Sequence, residues 1–279
     1  MGLLGGSVSL AAKRSFAGVK VVGYSHRSAT RDKARQLGVA DEIKEDIEHS
    51  VNGSDLVILA TPICTFEEIF RKIRSTLKKH CVVTDLGSTK RLPEKWAACI
   101  LGKEVFYVGS HPIAGSEQRG IDFARDDLFD RAVCILTQNK NTSRQALGRL
   151  VHFWRDIGCV VKIMGALEHD KVFAQVSHLP HLMAAALINS SSKKTINYAG
   201  KGFLDTTRIA SGPADVWADI FYSNPGSCVK AIQRVQGQLR KFKEAITSQD
   251  KQQVRKLLGQ ARKRRQELIR RKVKEGQLL

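Results

Sequence analysis

The chain has 279 residues, 42% hydrophobic and 26% charged, with 46 Lys+Arg against 27 Asp+Glu and a net charge of +19. That apolar content buries a sizeable core in one large or two modest domains, and it excludes a disordered, collagenous or small disulfide-stapled chain. Six cysteines (Cys64, Cys81, Cys99, Cys134, Cys159 and Cys228) lie far apart with no CxxC and no Cys/His cluster at zinc-ligand spacing, which fits reduced thiols, a cytoplasmic setting and no metal.

The chain opens Met1-Gly2-Leu3-Leu4-Gly5-Gly6-Ser7 ahead of a helical run. Gly2 and Gly5 match the second and third glycines of a GxGxxG dinucleotide loop, where one lets the backbone approach the pyrophosphate and the other lets helix and strand pack closely. Met1 stands in place of the first glycine, and no strand comes before it. In a doubly wound sheet that strand is central, so its neighbours are expected to face each other across a gap with unpaired inner edges. The expectation is a chain start placed too late, or a truncated chain.

From residue 19 to 163, β-branched runs at 19–24, 55–60, 81–85, 105–108, 133–137 and 160–163 alternate with helical patterns. This alternation predicts a Rossmann-type α/β fold, a doubly wound parallel sheet with helices on both faces. Helix starts are expected after Ser28, Thr65, Ser88 and Thr142, whose hydroxyls can cap free N–H groups. The strand signal stops at Gly165. The expected division is therefore a dinucleotide-binding domain over 1–164 and an all-helical domain over 165–279. The longest uncharged stretch, Val172 to Ser192, carries His178, Pro180 and His181 and is too polar to span a membrane.

Cofactor choice is read at the end of the first run, Tyr24-Ser25-His26-Arg27-Ser28. No carboxylate is there to hold a ribose 2′-hydroxyl, whereas Ser25, His26 and Arg27 offer the hydrogen bonds and charge that suit a 2′-phosphate. NADP is predicted, with NAD the second choice. The candidate cofactor contacts are Gly2, Leu3, Gly5, Ser25, His26, Arg27 and Thr61; an ordinary polar turn with a surface arginine is the competing account of residues 24–28.

Two later strand ends carry chemistry-bearing residues: Thr84 to Lys90 (TDLGSTK) and Gly109 to Glu117 (GSHPIAGSE). Ligands bind beyond the carboxyl ends of strands in an open parallel sheet, so both are expected to face the nicotinamide. The helical half adds Ser177 to His181 (SHLPH) and Gly202 to Ala210 (GFLDTTRIA), with Trp217 nine residues after Arg208. Beyond these, residues 228–279 hold 16 Lys+Arg against 4 Asp+Glu, with apolar residues at helical spacing. That segment reads as amphipathic helices with a solvated basic face. No aromatic residue interleaves Arg262-Lys263-Arg264-Arg265, which counts against nucleic acid as a partner.

These segments, in this order from Gly2 to about Phe221, resemble the prephenate and arogenate dehydrogenase family. The resemblance implies a Rossmann domain followed by a helical domain that makes most of a homodimer interface, and oxidative decarboxylation of a cyclohexadienyl acid. It also implies that His111 is the catalytic residue bonded to the ring hydroxyl, that Ser88 supports it, and that Arg208 binds a substrate carboxylate. Leu204 departs from the family, which often carries a basic residue there.

The chemistry agrees. Loss of hydride from C4 and CO2 from C1 turns prephenate into aromatic 4-hydroxyphenylpyruvate, and requires a proton acceptor at the C4 hydroxyl, a cation for carboxylate and a nicotinamide near C4–H. His111 must be neutral to accept, with an expected pKa of about 6.5 if unperturbed. Arg208 offers a planar two-donor fork. A cationic His181 would tolerate a keto acid better than an ammonium and favours prephenate, whereas Glu117 could pair with that ammonium and keeps arogenate dehydrogenase as the alternative. His178 reads equally as a packed or capping residue and as a substrate contact, Ser116 and Glu117 equally as a helix-start cap, and Trp217 as core or pocket wall. An inactive Rossmann-fold binding protein acting through its basic C-terminal helices is the alternative of a different class.

Overall fold

The computed structural model describes residues 1–114 and 118–274. Helix α1 (Leu3–Ser15) comes first, then β1 (Val22–Tyr24), α2 (Ser28–Gln36), β2 (Glu42–Lys44), α3 (Ile47–Val51), β3 (Leu56–Leu59), α4 (Phe66–Ile73), β4 (Val82–Asp85), α5 (Arg91–Ile100), β5 (Phe106–Tyr107) and β6 (Ser110–Pro112). Then come β7 (Val133–Thr137), α6 (Arg144–Asp156) and β8 (Val160–Met164). The rest is helical: α7 (Ala166–Phe173), a π-helical turn (Ala174–His178), α8 (Leu179–Asn189), α9 (Lys193–Ile196), α10 (Lys201–Thr207), a 3-10 turn (Arg208–Ser211), α11 (Ala214–Ser223), α12 (Pro225–Thr247) and α13 (Lys251–Lys274). The chain forms one compact unit from Met1 to Cys228 and a second from Val229 onward. Among the described residues, no helix is long and apolar enough to cross a membrane.

Strands pair as β1-β2, β3-β4-β5 and β6-β7-β8. All pairs are parallel except β6-β7. The expected gap is present: among the described residues no strand pairs with the facing edges of β1 and β3, and a groove of about 760 Å³ lies there, lined by Met1, Gly23, Tyr24, Val57 and Leu59, with the Met1 ammonium donating to the Tyr24 carbonyl at 2.6 Å. Two strands were not legible. The β2 segment Glu-Ile-Lys is too short and polar to register, and the antiparallel β6, Ser-His-Pro, has no β-branched residue. His111 therefore sits within a strand rather than in a loop beyond one.

The expected helix caps need correction. Ser28 is already inside α2, whose N-cap is Arg27. The Thr65 hydroxyl turns back to the carbonyl of Pro62, and α5 starts three residues after Ser88. At α6 the cap is Ser143, whose Oγ accepts from the N–H of Ala146, while Thr142 accepts from Asn139. The start after Thr65 is where the sequence places it, with Thr65 at the N-cap but its hydroxyl turned elsewhere; at the other three the start lies one or two residues from the expected place, which spacing alone cannot resolve.

The core forms around two main clusters. One side of β3 and β4 packs Phe66, Phe70 and Ile73 of α4, all fully buried. Each such side chain contributes about 1.5–3 kcal/mol by leaving water. On the other side Trp154 and Leu150 of α6 pack on Phe129 and Leu136, with Val8 and Ala11 of α1 alongside. Gly5 and Gly6 each cost α1 roughly 1 kcal/mol relative to alanine. Gly5 is needed because a Cβ there would lie 3.0 Å from that of Ala60, just after β3; helix and strand touch backbone to side chain at the cofactor end of the sheet.

Candidate active site

Where β4, β6 and α7 meet, a chain of buried polar groups converges. The Nδ1 atom of His111 lies 2.8 Å from Nε2 of His169, and Nδ1 of His169 lies 2.8 Å from Oδ1 of Asp170. His169 and Asp170 are fully buried. The same Asp170 carboxylate accepts the backbone N–H groups of Lys90 at 2.8 Å and Arg91 at 3.0 Å, capping the start of α5 from across the chain. Asn224 donates to the Asp170 carbonyl at 2.8 Å. A carboxylate only accepts, so His169 carries its proton on Nδ1 and its Nε2 is an acceptor; His111 then donates from Nδ1 and keeps the lone pair on its own Nε2. That lone pair is what a general base requires.

Burial drives the protonation behaviour of this cluster. The pKa of His111 is held well below 6.5, first by desolvation and then by His169, Lys90 and His178. The sequence expectation of about 6.5 is for an unperturbed ring; here the partly buried ring packs against His169 and Phe173, and the value moves down. Burial also lowers His169, opposed by its bond to Asp170. Burial lowers His178 to about 4. A histidine that folds neutral stabilises the fold fully above its unfolded pKa, and this contribution is lost as pH falls through the folded value. Thermal unfolding should therefore show stability falling from pH 6.5 toward 4, with His178 accounting for at most about 3 kcal/mol. A midpoint flat across that range would contradict the buried neutral state.

The other anticipated residues fall in several places. Ser88 is half-buried in the turn after β4. His178 is buried, with Nδ1 3.7 Å from Sγ of Cys228. His181, on α8, stacks on Trp217 with ring centroids 3.7 Å apart and planes 14° from parallel. Its Nδ1 is buried without a hydrogen-bond partner. Arg208 opens the 3-10 turn, which packs against α8, and it is exposed. Glu117 and Ser116 lie outside the described residues. Sequence reasoning missed the roles of His169, Asp170 and Lys90; only Lys90 lay in a segment already marked as loaded.

The nucleotide end keeps part of a dinucleotide loop, without its first glycine and the strand before it. Gly2 caps α1 with no side-chain hydrogen bond, and a Cβ on Gly2 would meet nothing within 4 Å. No acidic residue stands in the first turn, so free N–H groups and the helix dipole face open space, as a phosphate requires. Leu3 packs against the core, and the Thr61 hydroxyl bonds that of Thr65 at 2.8 Å. After β1, Ser25 is buried, His26 and Arg27 are exposed, and Arg31 braces the turn by donating to the carbonyls of Ser25 at 2.9 Å and His26 at 3.2 Å.

An α/β half with a glycine-opened helix, joined to a histidine whose Nε2 keeps its lone pair, is the arrangement of a nicotinamide-dependent oxidoreductase. The nucleotide-binding domain model of prephenate dehydrogenase matches residues 8–163, and the dimerization domain model matches 166–260. The chain belongs to the prephenate dehydrogenase family. It is 34% identical to the cyclohexadienyl dehydrogenase of Zymomonas mobilis, over 90% of this chain and 87% of that one. It is 30% identical to the prephenate dehydrogenase of Bacillus subtilis, over 90% and 69%. Among solved structures it resembles prephenate dehydrogenase from Aquifex aeolicus in complex with hydroxyphenyl propionate and NAD+, with TM-score 0.89, 36% identity and coverage of 96% and 95%.

Proposed function

We propose that this protein oxidatively decarboxylates prephenate to 4-hydroxyphenylpyruvate, a step toward tyrosine, with NADP as hydride acceptor. The observation that carries the reading is the His111–His169–Asp170 chain, which leaves the lone pair of His111 Nε2 free to take the proton of a ring hydroxyl. When bound, the nicotinamide supplies the acceptor for the C4 hydride. As His111 takes the hydroxyl proton, its Nδ1–H stays bonded to His169, whose own Nδ1–H is held by Asp170, so the ring keeps its orientation toward the hydroxyl. Ser88 supports the hydroxyl beside His111. Arg208 holds a substrate carboxylate, and His181 and His178 are the further substrate contacts, with Glu117 reserved for an amino-acid side chain. Residues 1–164 serve as the cofactor domain and 165–279 as the substrate and dimerisation domain, the active form being a homodimer.

The preference for NADP rests on the turn after β1. With Arg31 donating to backbone carbonyls, the exposed Arg27 is a cation that can meet a 2′-phosphate, and Ser25, His26, Gly2, Leu3, Gly5 and Thr61 complete the cofactor surface. Arg27→Ala should raise KM for NADP about tenfold, the loss of one exposed charge-assisted contact, and leave KM for NAD within about twofold. Equal effects on both cofactors would contradict the assignment. The function is tested by following absorbance at 340 nm with each cofactor and either prephenate or arogenate. Prephenate with NADP is expected to give the highest kcat/KM. The name of the Zymomonas relative, cyclohexadienyl dehydrogenase, covers the class to which both acids belong, which makes arogenate the second substrate to offer; a higher kcat/KM with arogenate would reverse the preference while keeping the chemistry.

A further inference from the structure

Lys90 is fully buried, as is Asp85, although lysines ordinarily carry their charge to water. Its groups reach three elements. The ammonium pairs with Oδ1 of Asp85 at the end of β4 and donates to the carbonyl of Ser110 in β6 at 2.6 Å. Its backbone N–H donates to Asp170 of α7 at 2.8 Å. Ser110 immediately precedes His111, and Asp170 orients His169, so one residue grips both ends of the imidazole pair.

The surroundings are built for this grip. Asp85 also accepts the Tyr107 hydroxyl at 2.6 Å and the Gly87 N–H at 2.7 Å, which leaves the carboxylate well satisfied. Ser110 is pinned again through its hydroxyl, which meets that of Thr84 at 2.6 Å and accepts from the Trp154 indole at 3.1 Å. A Cβ on Gly109 would lie 3.0 Å from Cδ of Lys90, so a side chain there would push the lysine stem. A buried ion pair is a poor source of stability, because desolvation offsets much of its attraction and an apolar pair of similar volume often does as well.

We propose that Lys90 is a positioning residue for the reaction: its ammonium fixes the main chain that carries His111, its amide fixes the carboxylate that orients His169, and together they hold the two rings at hydrogen-bond distance. The proposal rests on the reading of His111 as the base. Lys90 also places a positive charge beneath that base. Among the described residues, the charged or titratable groups that act on His111 are His169 from α7, Lys90 ahead of α5 and His178 from the π-helical turn; behind them, Asp170 is bonded to His169, Asp85 to Lys90, and Tyr107 to Asp85. Of these, His169, Lys90 and His178 all oppose the imidazolium. Removing the ammonium therefore makes His111 easier to protonate.

The test compares the unaltered chain with Lys90→Met and with Lys90→Met/Asp85→Asn, which leaves no buried charge unpaired and so guards against a folding failure of the single variant. Each is assayed for kcat, KM for prephenate, NADP binding by fluorescence and, for folded Lys90→Met, the pH profile of kcat/KM. Both variants should lose about 100-fold in kcat, the cost of misplacing a catalytic group by an ångström, with NADP binding within about twofold. In Lys90→Met the acid limb should move to higher pH. A folded variant with unaltered kcat, or a kcat loss matched by an equal loss of NADP binding with the limb unmoved, would overturn the proposal and leave Lys90 purely structural. Failure of the unaltered chain to oxidise prephenate or arogenate would instead overturn the functional reading.

Discussion

Replacing His111 by Asn should lower kcat about 10³-fold, within the range that a general base contributes, and leave NADP binding unchanged. Asparagine is the informative substitution because its amide N–H can stand near the original Nδ1 and still donate to His169 Nε2, so the hydrogen-bonded chain to Asp170 can survive. What it lacks is the Nε2 lone pair. The residual activity should also lose its acid limb, since the group whose protonation stops the reaction is gone. A variant with kcat within tenfold of the unaltered chain would place the proton acceptor elsewhere.

Arg208→Ala should raise KM for prephenate about 100-fold while kcat stays within about threefold, because a carboxylate contact made equally in ground and transition states affects binding alone. Arg208→Lys should recover only part of the loss, since one ammonium cannot reproduce a two-donor fork. If kcat falls as steeply as KM rises, the arginine acts in the chemical step. If neither changes, the carboxylate is held by another group.

Much of this was legible in the chain because it is local. The spacing of Gly2 and Gly5 announces a phosphate-binding turn, and the structure puts Gly5 against Ala60 as that motif demands. The alternation of β-branched runs with helices gave the α/β half, and His111 stood out beside a proline at a strand end. The partners of His111 were not legible. His169 lies 58 residues away, in a short helix that is weakly amphipathic, and nothing in the Ala166–Phe173 pattern separates a catalytic pair from a surface Glu-His-Asp run. Lys90 and Asp85 looked like ordinary turn residues for the same reason: a buried ion pair is defined by what the fold places around it. The charge excess near the C-terminus, by contrast, was read correctly as helical, since α12 and α13 follow its apolar spacing.

The measurement that tests the central claim most directly is the pH dependence of kcat/KM for prephenate between pH 4 and 8, on the unaltered chain and on His111→Asn. A neutral His111 predicts a plateau above pH 6.5 and a single acid limb whose midpoint lies below 6.5, in the direction its desolvation dictates. That limb should be absent from the residual activity of the variant. A midpoint at or above 6.5, or a limb that persists without His111, would contradict the assignment of this histidine as the base.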